Sequence, residues 1–200
     1  MVTLIGMGSG KWEALSAQAQ QAVRSAGLVF GAKRLLAGLP ADCTARQFAL
    51  YQPADILETL AQTPGQDAAV LYSGDTGFYS GASGLLTPLR ALGIPARVYP
   101  GVSSIQLLSA ALGRPWQDWK LVSAHGCACD PVAECMMNRS VFFLTGGTET
   151  PASLCQKLTD AGMGEAHGVV GENLGTEAEA IRYGSAAELA GQSFAPLSVL

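Results

Sequence analysis

Leu71-Tyr72-Ser73-Gly74-Asp75-Thr76-Gly77-Phe78-Tyr79-Ser80-Gly81 is the stretch whose pattern decides the fold. The apolar run Ala68-Ala69-Val70-Leu71-Tyr72 stops abruptly in a glycine loop that carries one acid and two aromatics, and Leu85, Leu86, Leu89 and Leu92 recur behind it at helical spacing. The order is therefore strand, loop, helix. In an α/β unit of this kind, ligands sit beyond the carboxyl ends of the strands.

Working outward, the same unit repeats on both sides. Thr3-Leu4-Ile5 runs into Gly6-Met7-Gly8-Ser9-Gly10, and Leu15, Ala19, Ala22, Val23 and Ala26 mark a helix face closed by Gly27. A dinucleotide fingerprint needs glycine where Lys11 stands, and a phosphate-binding P-loop needs it where Ile5 stands, so the glycines predict a tight turn that lets backbone approach a ligand or another loop. Leu28-Val29-Phe30 predicts a second strand, and Gly31-Ala32-Lys33-Arg34-Leu35-Leu36 leads into a short helix with two cations near its start. The helix dipole disfavours cations there, so the pair is either a solvated basic turn or part of an anion site. The stretch from Asp42 to Tyr51 carries no clear pattern. Pro53 opens another helix, Ala96-Arg97-Val98-Tyr99 reads as a strand, and Ser103 is a suitable N-cap for a helix bearing Ile105, Leu108 and Leu112. Alternating strands and helices predict a mainly parallel sheet.

Gly113-Arg114-Pro115-Trp116 breaks this alternation, which predicts an N-terminal α/β subdomain over 1–113 and a C-terminal one over 117–200. The second half has its own strands at Lys120-Leu121-Val122-Ser123, Ser140-Val141-Phe142-Phe143-Leu144, Gly168-Val169-Val170-Gly171, Ala180-Ile181-Arg182-Tyr183 and Leu197-Ser198-Val199-Leu200. Helices are signalled by Asp130-Pro131, by Pro151 and by the capping box Ser185-Ala186-Ala187-Glu188. Glu172-Asn173-Leu174-Gly175 is too long a connection for a two-residue hairpin and suits a ligand-facing loop.

Composition narrows the function. With 48% hydrophobic and 14% charged residues the chain can bury a substantial core. A net charge of -4 and a pI near 5.1 give no overall basic field, which argues against a dedicated nucleic-acid binder and for a small-molecule partner. The absence of long apolar runs predicts no membrane span, and the glycines near the start are unlike a secretory signal, so a cytoplasmic protein is expected. Five cysteines, an odd number in a chain that needs no staples, are expected to be reduced thiols. Cys127, Cys129 and Cys135 lack the paired spacing of zinc modules, and no metal is expected. His125, in Ser123-Ala124-His125-Gly126, is open between an acid–base group and a structural one. Asp75 is open between capping its loop and meeting a polar ligand group.

Taken in order, Gly6-Met7-Gly8-Ser9-Gly10, Ser73-Gly74-Asp75-Thr76-Gly77-Phe78-Tyr79, Pro100-Gly101-Val102-Ser103-Ser104 and Glu172-Asn173-Leu174-Gly175 resemble the tetrapyrrole methylase family over nearly the whole chain. Gly31 to Leu36, Ser123 to Gly126 and the last loop look most like members that methylate C5 of a late precorrin in cobalamin synthesis. The resemblance implies two α/β subdomains, the first sheet mostly parallel and the second mixed, enclosing a cleft that binds S-adenosylmethionine and releases S-adenosylhomocysteine. It implies that Gly74, Asp75, Gly77, Phe78, Gly101, Val102, Ser103 and Ser104 hold the cofactor, with Leu144, Thr145, Glu172, Asn173 and Leu174 closing over it. Gly8, Lys33, Arg34, Tyr79 and His125 are then expected at a carboxylate-edged tetrapyrrole, with Tyr79 as a wall and His125 orienting it or moving a proton. A homodimer is implied, and a separate C15-methylating and decarboxylating partner is left open. Alternatives are methylation at another ring position and a non-catalytic ligand-binding protein. The chain departs from the family pattern at Ser9 and Thr76, where proline is usual, and at Cys127, where arginine is usual.

Overall fold

The computed structural model describes residues Met1–Leu200, which divide into two units, Met1–Ser103 and Ser104–Leu200.

The first unit strings together β1 (Val2–Gly6), α1 (Ala17–Ser25), β2 (Leu28–Phe30), α2 (Lys33–Leu36), β3 (Arg46–Phe48), α3 (Pro53–Gln62), β4 (Ala68–Tyr72), α4 (Ala82–Ala91) and β5 (Ala96–Tyr99). Its sheet has the order β3-β2-β4-β1-β5, and every pairing is parallel. The central strands are buried along their length because both faces are covered, which is why they read as continuous apolar runs. Side chains alternate accordingly. Leu4, Phe30, Ala68 and Val70 pack with Ile56 of α3 and Leu85 and Leu89 of α4, whereas Ile5, Val29, Ala69 and Leu71 pack with Ala19 and Val23 of α1 and Leu35 of α2. The helices that follow β1 and β4 thus cover opposite faces of neighbouring strands, the arrangement that opens a crevice outside their carboxyl ends.

Local details sharpen the sequence expectations. Leu15 lies ahead of α1, after a short 3-10 turn (Trp12–Ala14), and Ser16 caps the helix by accepting a hydrogen bond from the Ala19 N–H. The patternless stretch contains β3, an edge strand whose Arg46 and Gln47 are exposed. Pro88 is accommodated inside α4.

The second unit runs α5 (Ser104–Leu112), β6 (Lys120–Ser123), α6 (Pro131–Met137), β7 (Val141–Leu144), α7 (Pro151–Leu158), β8 (His167–Glu172), β9 (Ala180–Ser185), α8 (Ala186–Ala190) and β10 (Ser198–Val199). Its sheet, β6-β7-β10-β8-β9, is mixed: β6 and β7 are parallel, and β10 lies antiparallel between β7 and β8. Asp130 and Ser185 cap α6 and α8 as their motifs predict, and Thr150 caps α7. The units part ahead of α5 rather than after it. The reason is packing: a Cβ on Gly171 of β8 would lie 3.0 Å from the Leu108 side chain, so α5 is seated on the second sheet. No helix is long and apolar enough to cross a membrane.

Candidate functional site

In the first unit, three loops converge at the carboxyl edge of the sheet and are stitched by main-chain bonds. Met7 N–H donates to Tyr72 O at 2.8 Å, Gly8 N–H to Gly74 O at 3.1 Å and Gly74 N–H to Gly8 O at 2.9 Å. Glycine is required by contact at Gly6, where a Cβ would sit 2.6 Å from Gly101 N and 2.7 Å from Gly74 O, and Gly101 is packed equally tightly against the Gly74 and Gly6 carbonyls. These glycines serve loop-to-loop contact. Gly74 differs: its φ of +63 demands glycine, whereas a Cβ there would only reach ordinary contact with Ser103, at 3.6 Å from its Cα, so the requirement is conformational rather than steric.

Asp75 holds two of these loops together. Its Oδ1 accepts from Gly77 N–H at 2.8 Å and its Oδ2 from Gly101 N–H at 3.0 Å, which brings the β4 and β5 loops into one edge. Thr76, standing where proline is usual, donates its hydroxyl to Tyr99 O at 3.3 Å. Ser103 is buried and Val102 is exposed. Phe78 and Tyr79 meet edge to face at 4.8 Å, and Tyr79 is half exposed. Arg34 reaches Ser73 with its guanidinium and has no ion-pair partner, and desolvation lowers its pKa. Lys33 is exposed, with neither ion pair nor side-chain hydrogen bond.

In the second unit, β7 ends at Leu144, and Thr145, the next residue, is buried with its hydroxyl donated to Ser198 O at 2.6 Å. Thr145 also borders a cavity of about 380 Å³ with Gly146, Thr150, Ser193 and Phe194. His125 is exposed, and its Nδ1 lies 3.1 Å from Thr145 O. Glu172 is buried: Oε1 takes Arg182 Nε at 2.5 Å, and Oε2 takes Ala195 N–H at 2.7 Å. Burial pushes its pKa up, but the hydrogen bonds from Ala195 and Arg182 and the guanidinium charge outweigh it, so the net shift is downward. Leu174 is buried, and Asn173 has a φ of +48.

Two residues other than glycine adopt positive φ in this chain, Tyr79 at +46 and Asn173 at +48, and each sits in one of the two loops expected to face a ligand. Strained backbone of this kind costs of order 1–3 kcal/mol and gathers at ligand clamps. Sequence reasoning missed the neighbours that complete these groups: Ser73 beneath Arg34, Arg182 and the Ala195 amide on Glu172, and Gly146 against the His125 ring. Only Gly146 left a trace, the Gly146-Gly147 pair of an ordinary turn. No three metal-ligating side chains lie together, and all five cysteines are free thiols.

The first unit, with a wholly parallel sheet and glycine loops at a topological switch, is that of a cofactor-binding α/β enzyme. The family model of tetrapyrrole (corrin/porphyrin) methylases matches residues 1–190. The cobalt-precorrin-7 C(5)-methyltransferase of Salmonella typhimurium is 32% identical over 185 residues, which cover 92% of this chain and 90% of that protein. The decarboxylating precorrin-6Y C(5,15)-methyltransferase of a Sinorhizobium species is 30% identical over 183 residues, 90% of this chain but 44% of that protein. Among solved structures, uroporphyrin-III C-methyl transferase from Thermus thermophilus, complexed with S-adenyl homocysteine, superposes with a TM-score of 0.78 at 20% identity, covering 99% of this chain and 90% of that one. The chain belongs to the tetrapyrrole methylases. It is an S-adenosylmethionine-dependent methyltransferase.

The residues present suit that cofactor. Its ribose and amino-acid groups call for main-chain amides and carbonyls at close range rather than a metal, and glycine loops at the carboxyl edge of the sheet, with Val102 exposed beside them, are compatible with that need.

Proposed function

We propose that this protein methylates C5 of a late precorrin, precorrin-7 or its cobalt form, in cobalamin biosynthesis. The observation that carries the proposal is 32% identity along 90% of a cobalt-precorrin-7 C(5)-methyltransferase. The bifunctional relative supports it from another side, because this chain spans 44% of that protein. C15 methylation and decarboxylation then fall to a separate partner, and the enzyme works in the cytoplasm as a homodimer.

S-adenosylmethionine supplies an activated methyl electrophile when bound. The chain's own task is to align an electron-rich ring carbon with it and to keep water out. Backbone of the Gly74–Gly77 and Gly101–Ser103 loops holds the cofactor, with Asp75 shaping those loops from beneath, as its two main-chain partners indicate. Leu144, Thr145 and the Glu172–Leu174 loop are further proposed cofactor contacts. Tyr79 lies against the flat macrocycle. Arg34, an exposed cation anchored on Ser73 without a carboxylate partner, takes a ring carboxylate, while Lys33, exposed and unanchored, adds only long-range attraction.

An acceptor panel tests this. Purified enzyme with S-adenosylmethionine should consume precorrin-7 or cobalt-precorrin-7 and leave uroporphyrinogen III and precorrin-4 untouched. Turnover of either of the latter in preference to precorrin-7 overturns the assignment to C5.

A further inference from the structure

Replacing hydrogen by methyl on a ring carbon leaves one proton to be removed. Resting on the proposed acceptor, we infer that His125 Nε2 is the base that takes this proton, and that Gly146 is the positioning residue that seats the imidazole for it.

A main-chain carbonyl can only accept, so the 3.1 Å contact between Nδ1 and Thr145 O requires the proton on Nδ1. In the neutral ring Nε2 then carries the lone pair. His125 is exposed, so that lone pair is free to face a bound ligand rather than the core. The seat under the ring is specific. A methyl group at Gly146 would land on Nδ1 itself, with Cε1 at 2.5 Å and Cγ at 2.9 Å, so no other residue allows the ring to lie against this peptide. Gly146 is itself held, because its N–H donates to Glu149 O at 2.9 Å across a turn in which Gly147 has a φ of +67. Strand β7 and that turn therefore fix the imidazole through Thr145 O and the Gly146 backbone.

The step balances without an added reagent. The π electrons of the acceptor carbon form the new C–C bond, and the methyl–sulfur pair stays on sulfur, giving neutral S-adenosylhomocysteine. The positive charge passes to the ring. Loss of the carbon's proton to Nε2 restores conjugation, and the resulting imidazolium returns the proton to water.

His125→Ala should lower kcat about a hundredfold or more while leaving S-adenosylhomocysteine affinity within about twofold, with added imidazole restoring part of the rate. Gly146→Ala should lower kcat in the same direction, and His167→Ala should not. Independently of turnover, nitrogen-15 NMR of histidine-labelled wild-type protein should show His125 as the Nδ1–H tautomer, and Gly146→Ala should abolish that signature. An undiminished kcat in His125→Ala, failure of imidazole to rescue, or an Nε2–H tautomer in the wild type overturns the inference. If wild-type enzyme methylates a different tetrapyrrole, the acceptor assignment fails, and the same kcat comparison on that acceptor still decides the role of His125.

Discussion

Removing the Asp75 carboxylate should loosen the loop edge before it changes any chemistry. Asp75→Ala deletes two hydrogen bonds from main-chain N–H groups to a charged acceptor, at 2.8 and 3.0 Å. Such bonds contribute roughly 1.5–3 kcal/mol each when buried, and the partial exposure of Asp75 lowers that to about 1–1.5 kcal/mol each. The expected loss is about 2–3 kcal/mol, or about 5–10 °C in Tm for a chain of this size. Asn at 75 keeps one acceptor oxygen and should lose about half as much. Weaker anchoring also lowers the fraction of molecules with the loops set for binding. If half of the loss falls there, Kd for S-adenosylhomocysteine rises about tenfold, since about 1.4 kcal/mol is a factor of ten. Thermal unfolding followed by circular dichroism and isothermal calorimetry read the two effects. Unchanged Tm and Kd in Asp75→Ala would refute the loop-shaping role. An unchanged Tm with Kd raised a hundredfold would show instead that Asp75 touches the ligand directly.

Arg34→Ala should raise the tetrapyrrole KM about tenfold with S-adenosylhomocysteine affinity unchanged, and Lys33→Ala should stay within about threefold; equal effects from both would remove the distinction drawn from their environments. Glu172 has a folded pKa below its ordinary value, so its contribution to stability is fully present above the usual glutamate range and is lost below that range, as pH falls through the lowered folded pKa. Urea unfolding should therefore show a stability gap between wild type and Glu172→Gln that is constant from pH 7 to about pH 5 and shrinks as pH falls below about 4, and a gap that stays constant down to about pH 2 would contradict the linkage. Burial foremost, with Cys135 nearby, pushes the Cys155 thiol up to about 11, whereas Cys127 is exposed. Iodoacetamide followed by peptide mass spectrometry should find Cys127 modified first and Cys155 last. Simultaneous modification would mean that the second unit opens readily.

What the sequence disclosed follows what each residue must satisfy locally. β1, β2 and β4 were legible because strands covered on both faces must be apolar throughout, and α6 and α8 were legible because their caps, Asp130 and Ser185, act within three residues. β3 was hidden because an edge strand with exposed Arg46 and Gln47 carries no apolar period. The seat of α5 was equally hidden, since the contact of Leu108 with Gly171 joins residues far apart in sequence, and Gly113 to Pro115 offered a louder local signal. The site divides in the same way. The glycines at 74 and 101 were visible, but their different reasons were not: one needs a positive φ, the other close packing. Asp75 reaches Gly101 across 26 positions and Arg34 reaches Ser73 across 39, pairings that exist only once the sheet order is set.

The most direct measurement supplies precorrin-7 and S-adenosylmethionine carrying carbon-13 in its methyl group, then reads the product by mass spectrometry and carbon NMR. The expected product has gained one labelled methyl at C5 and kept every carboxylate. A label at another ring position, loss of carbon dioxide, or no incorporation would contradict the assignment.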